Sequence, residues 1–143
     1  MADRKERAEE RARLAFGLPR RARLGAIGES LAVDFLQKLG YTILEANYRT
    51  PLGEIDIIAK ERDYLVFVEV RTRSSSVFGP PFASITKRKM HKIVVNALYY
   101  LKMNKCLRAK QRIDIVSVTL LRGRSVAPEI ILFRNAVSDH RHL

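Results

Sequence analysis

The chain has 143 residues and a formal net charge of +12, from 27 lysines and arginines against 15 acidic residues. At 47% hydrophobic and 29% charged it is too apolar for a disordered tail and has enough apolar residues for one domain around one core. Its longest apolar runs are five residues (64–68 and 97–101), against the roughly 18 to 20 that a bilayer span needs, and a single Cys106 excludes an internal disulfide or a cysteine metal cage. With no apolar segment near the start either, a cytoplasmic protein is expected.

Residues 1–22 form a basic, Arg-rich extension that is rich in helix formers but lacks an apolar stripe, and are expected to be a solvated or frayed helix. Residues 23–136 are expected to fold as a single domain, followed by a polar tail at 137–143 that carries His140 and His142. From Arg23 to Gly40, Ile27, Leu31, Ala32, Phe35, Leu36 and Leu39 recur at helical spacing, and Gly40 is placed to end the helix. Three β-rich runs follow, Thr42 to Arg49, Glu54 to Lys60 and Tyr64 to Arg71, joined tightly enough to predict an antiparallel meander. Ser74 to Pro81 reads as a loop, and Met90, Ile93, Val94, Ala97, Leu98 and Leu101 trace a second helix. Arg112 to Leu120 and Glu129 to Arg134 are two further strands, separated by the Arg122-Gly123-Arg124 corner. The predicted order is αβββαββ, an α/β domain.

Charge is distributed unevenly along this scaffold. Between Glu69 and Asp114 no acidic residue occurs while lysines and arginines number eleven. Arg73 precedes the loop, and Lys87, Arg88, Lys89 and Lys92 crowd the start of the second helix. So long a stretch without a compensating carboxylate predicts an electropositive face for a polyanion, with nucleic acid the leading candidate. Aromatics suited to base stacking (Phe78, Phe82, Tyr99, Tyr100) are few, so phosphate and shape recognition is expected more than base reading.

Strand periodicity places Leu65, Phe67, Glu69 and Arg71 on one face, so that Glu69 stands where a core residue belongs. On the preceding strand Glu54, Asp56 and Ile58 share a face, and Ile55, Ile57 and Ala59 the other. A two- or four-residue turn opposes Asp56 to Glu69 and Glu54 to Arg71. Directly opposed carboxylates repel by roughly 0.2 to 1 kcal/mol, so a cation is expected between them. Two readings fit: Mg²⁺, with Mn²⁺ as substitute, bound by the two carboxylates together with water and phosphate, or an edge ladder of ion pairs. Glu29 on the first helix and Lys87 on the second could reach the same end of the sheet, or simply be surface charges.

GAIGESLAVDFLQKLGYTIL, NYRTPLGEIDIIAK, LVFVEVRTRSSSVFGPP and RIDIV, in that order, resemble the YraN-like group of bacterial proteins over about residues 23–135. That group is similar in fold to Holliday-junction resolvases and restriction endonucleases of the PD-(D/E)xK superfamily. The resemblance implies a restriction-endonuclease-like core, a mixed sheet flanked by helices, in which Asp56, Glu69 and the Val70 carbonyl hold Mg²⁺ and Glu29 contributes from the first helix. Arg71 falls on the position of the motif lysine, where a guanidinium stays protonated and can orient and stabilise charge but not act as a base. Ile55 stands at the position of the motif proline. The expected function is a metal-dependent endonuclease acting on structured nucleic acid, branched DNA before RNA, with Arg71 clamping phosphate and a homodimer implied by analogy. The alternatives are a catalytically inactive nuclease fold that binds nucleic acid, and a basic assembly protein bound to ribosomal RNA or a protein partner.

Overall fold

A computed structural model describes residues 4–14, 17–74, 79, 85–122 and 126–137. Its elements are α1 (Arg4–Leu14), α2 (Arg20–Lys38), β1 (Thr42–Thr50), β2 (Gly53–Glu61), β3 (Tyr64–Ser74), α3 (Lys87–Met103), β4 (Gln111–Leu120) and β5 (Glu129–Phe133). The expected order is therefore preceded by one more helix. α1 lies against α2 and β1 with the side chains of Arg7, Arg11 and Leu14 exposed, because it has no apolar face to bury. The domain's first long helix begins at Arg20, three residues before the expected boundary.

One mixed five-stranded sheet runs in the order β1-β2-β3-β4-β5. β1, β2 and β3 form the expected antiparallel meander; β4 then pairs parallel to β3 and β5 antiparallel to β4. A parallel neighbour needs a crossover, and α3 supplies it. α2 covers one face, where Ala32, Val33 and Leu36 pack on Ile57, Val66, Val68 and Val116. α3 covers the other, where Ile93, Val94, Ala97 and Leu101 pack on Ile55, Ile58, Phe67 and Ile113. Covered on both sides, β4 is buried without interruption from Ile113 to Thr119.

The helix ends follow local chemistry. At the end of α2 the Gly40 N–H donates to the Gln37 carbonyl and the Tyr41 N–H to the Leu36 carbonyl, both at 3.0 Å, with Gly40 at φ 94. At the start of α3, Thr86 caps the helix by accepting the Lys89 N–H at 3.2 Å.

Between β2 and β3 the register is the one expected: Glu61 faces Tyr64 across a two-residue Arg62–Asp63 turn, and Ile57 faces Val68. There the ladder stops, and Asp56 and Glu69 stand just beyond it. The face alternation of β2 also breaks at this point. Ile55 packs with Ile58 against α3 while Ile57 faces α2, which corrects the expectation that Ile55 and Ile57 share a face. The break coincides with Asn47, opposite Asp56 on β1, which adopts a positive φ of 55.

Candidate metal and phosphate site

Three elements converge where β2 and β3 part. α2 comes close to β3 because residue 28 is glycine: a Cβ there would lie 1.7 Å from the Thr72 hydroxyl oxygen. That approach brings the next residue, Glu29, to β2. One carboxylate oxygen from each of Glu29, Glu54 and Asp56 lies within 4.8 Å of the others, a cluster of hard oxygen donors suited to Mg²⁺ or Mn²⁺. Asp56 is fixed by the Val70 N–H, which donates to its Oδ2 at 2.8 Å.

Glu69 adjoins Asp56, and the Arg71 guanidinium lies 3.9 Å from its Oε1. Arg11 of α1 reaches Glu29 at 3.6 Å, and Arg49 reaches Glu54 at 3.8 Å. Even so, Glu29, Asp56 and Glu69 resist ionisation. Burial, then repulsion from Asp56, pushes Glu29 up to about 7 against the opposing pull of Arg11. Burial likewise raises Glu69, with Asp56 adding to the rise and Arg71 opposing it. Asp56 is raised by burial in spite of the Val70 N–H. A divalent cation among these oxygens would relieve the repulsion and favour their ionised forms, so the donor set fits the ion.

Beside the carboxylates opens a cleft of about 260 Å³ lined by Gly53, Glu54, Glu69, Arg71, Lys89, Lys92, Ile93 and Asn96. Acidic groups on β2 and β3 face basic groups on α3, with Arg71 between. Burial and the nearby Arg71 pull the Lys89 ammonium below its ordinary range, Glu69 opposing. The first turn of α3 contains no acid to balance its lysines, although the positive end of the helix dipole favours one there.

The structure thus brings together Glu29, Asp56, Glu69, Arg71, Lys89 and Lys92. Lys87 and Arg88 are exposed on the first turn of α3 and do not line the cleft. Arg73 is engaged within the fold, its Nε donating to Thr119 Oγ1 at 3.1 Å and a terminal nitrogen to the Gly79 carbonyl at 2.6 Å. Tyr100 packs edge-on against Tyr48 and Phe67 as core. Phe78, Phe82, His140, His142 and the Gly123-Arg124 corner lie outside the described residues, as does most of the Ser74 to Pro81 loop.

Two lining residues were missed by sequence reasoning. Glu54 was read as facing Arg71 on the Asp56 side of its strand and not as a metal ligand, whereas its carboxylate also meets those of Glu29 and Asp56. Asn96, only 2% exposed, occupies a core position of α3 between Ile93 and Leu101, and a polar residue there is itself a signal.

A model of the family described as "Uncharacterised protein family UPF0102" matches residues 28–118. A UPF0102 protein of Desulfosudis oleivorans is 48% identical over 119 residues, covering 83% of this chain and 93% of the relative. One from Moorella thermoacetica is 48% identical over 107 residues, covering 75% and 89%. One from Clostridium botulinum is 46% identical over 99 residues, covering 68% and 80%. The chain belongs to the UPF0102 family, the YraN-like group that the sequence motifs resemble. Among the described residues no helix is long and apolar enough to cross a membrane.

Proposed function

We propose that this UPF0102 protein is a divalent-metal-dependent endonuclease with a restriction-endonuclease-like core, hydrolysing phosphodiester bonds in structured nucleic acid, branched DNA foremost. The observation that carries this reading is the meeting of the Glu29, Glu54 and Asp56 carboxylates at the edge of a cleft that Glu54 and Glu69 line together with Arg71, Lys89 and Lys92. Phosphodiester hydrolysis needs both: oxygen ligands for a hard cation, and fixed positive charge for the phosphate.

Asp56 and Glu54 from β2 and Glu29 from α2 would hold the cation, with Glu69 and the Val70 carbonyl completing the set. The bound ion supplies neutralisation of the charge that develops at the scissile phosphate and acidifies the attacking water. Arg71 stays protonated and clamps a non-bridging phosphate oxygen. Lys89, which lines the cleft with Glu69 and Arg71, adds a further positive charge for the phosphate. Lys87 and Arg88, exposed at the mouth of the same helix, grip the flanking backbone.

The second reading, a nucleic-acid-binding protein without catalysis, is favoured by Arg71 at the motif lysine position. One assay separates the two. Supercoiled plasmid, a four-way DNA junction and structured RNA are incubated with the protein in Mg²⁺, Mn²⁺ or EDTA, beside Asp56→Asn and Glu69→Gln. Metal-dependent cutting lost in both variants supports the endonuclease and names its substrate; binding without cutting, indifferent to metal and to either substitution, leaves the second reading.

A further inference from the structure

We infer that Asn96 is a positioning residue: it clamps the β1–β2 turn onto α3 and so holds Glu54 against Glu29 and Asp56. The inference rests on the metal reading of that cluster and extends it to a residue 42 positions from Glu54 in sequence.

Asn96 is 2% exposed, and both ends of its amide are engaged. Its Oδ1 accepts the hydroxyl hydrogen of Thr50, the last residue of β1, and its Nδ2 donates to the Lys92 carbonyl at 2.8 Å. Thr50 Oγ1 in turn accepts the Leu52 N–H at 3.0 Å, which shapes the turn. The clamp fits closely, since a Cβ on Gly53 would lie 2.9 Å from Asn96 Nδ2, and Gly53 has a positive φ of 150 besides. Glu54 is the next residue. Its carboxylate is exposed and its ion pair with Arg49 spans 3.8 Å, so the backbone of this turn sets where it lies. An amide that fixes a ligand's backbone acts as an outer-shell partner does at a metal site, where its loss costs about 10- to 100-fold in metal affinity.

The test compares the full chain with Asn96→Ala, Thr50→Val and Thr50→Ser, reading Mn²⁺ affinity by electron paramagnetic resonance and amide hydrogen exchange by NMR. Asn96→Ala and Thr50→Val should weaken Mn²⁺ binding about tenfold. Exchange at the Leu52 and Glu54 amides should quicken by a similar factor while β4 amides stay protected. Thr50→Ser, which keeps the hydroxyl, should behave as wild type. Unchanged turn exchange, or faster exchange with unchanged Mn²⁺ affinity, overturns the positioning role and leaves Asn96 a purely structural amide. A wild-type chain that does not bind Mn²⁺ overturns the metal reading instead, and turn exchange alone then decides the clamp.

Discussion

Glu29 carries the clearest consequence at the scale of single residues. An ordinary glutamate titrates near 4.5, and here burial pushes the carboxyl up to about 7. Between those values the folded chain holds a proton that the unfolded chain has lost, so stability falls as pH rises through this window. In EDTA the urea midpoint should therefore drop from pH 5 to pH 8, with Glu29 contributing on the order of 2 kcal/mol. Glu29→Gln should flatten its share of the slope, and Mn²⁺ at pH 8 should restore stability; a pH-independent midpoint would contradict the buried, proton-holding cluster. Lys89 supplies a second residue-scale prediction. Lys89→Ala removes a cleft-lining positive charge and should slow cleavage about 100-fold, whereas Lys87→Ala should change single-turnover rates little. Strand periodicity in the sequence opposed Asp56 to Glu69 and set Glu69 where a core residue belongs, while the roles of Asp56, Glu69 and Arg71 were implied by the family resemblance. Sequence reasoning did not separate Lys89 from Lys87, because nothing in the sequence says which side of the helix borders the cleft.

At the scale of elements, the site depends on how closely α2 sits against β3. Gly28 allows that approach, and Gly28→Ala would force the helix away from Thr72. The expected result is a loss of about 1 to 3 kcal/mol in urea unfolding together with weaker Mn²⁺ binding, since Glu29 moves with the helix. A second, separate network gathers at the start of β4. Asp114, fully buried on β4, accepts from Tyr41 at 3.0 Å, from Arg112 at 2.9 Å and from the Asn135 N–H at 2.9 Å, while Arg112 also meets Glu61 at 2.8 Å. Arg112→Leu leaves that buried carboxylate without its cation and should destabilise by about 3 to 5 kcal/mol, with metal binding retained because Arg112 pairs with none of the clustered carboxylates. The strands and their β2–β3 register were legible because the Arg62–Asp63 turn is short and the apolar pattern strict. The break at Asp56 was not, because a positive φ at Asn47 leaves no mark in hydrophobic periodicity. The parallel pairing of β4 was implied only by the family resemblance and by the length of the α3 crossover.

For the molecule as a whole, a charge of +12 and an acid-free stretch from residue 70 to 113 point to a partner that carries phosphates. Binding to duplex DNA should weaken with salt along a log–log slope of about −0.9 for each phosphate contacted, and removing Lys87 and Arg88 should reduce that slope by about 2. A protein partner would not follow that law. β5 is an edge strand with Ile130 to Phe133 half-buried. The central claim is that the carboxylates joining α2, β2 and β3 hold a cation for phosphodiester cleavage. It is tested most directly by single-turnover cleavage of a four-way DNA junction in Mg²⁺, wild type against Asp56→Asn, with junction binding measured in the same samples. Mg²⁺-dependent cutting that Asp56→Asn abolishes while binding persists is the predicted result; equal binding by both proteins with no cutting by either would contradict it.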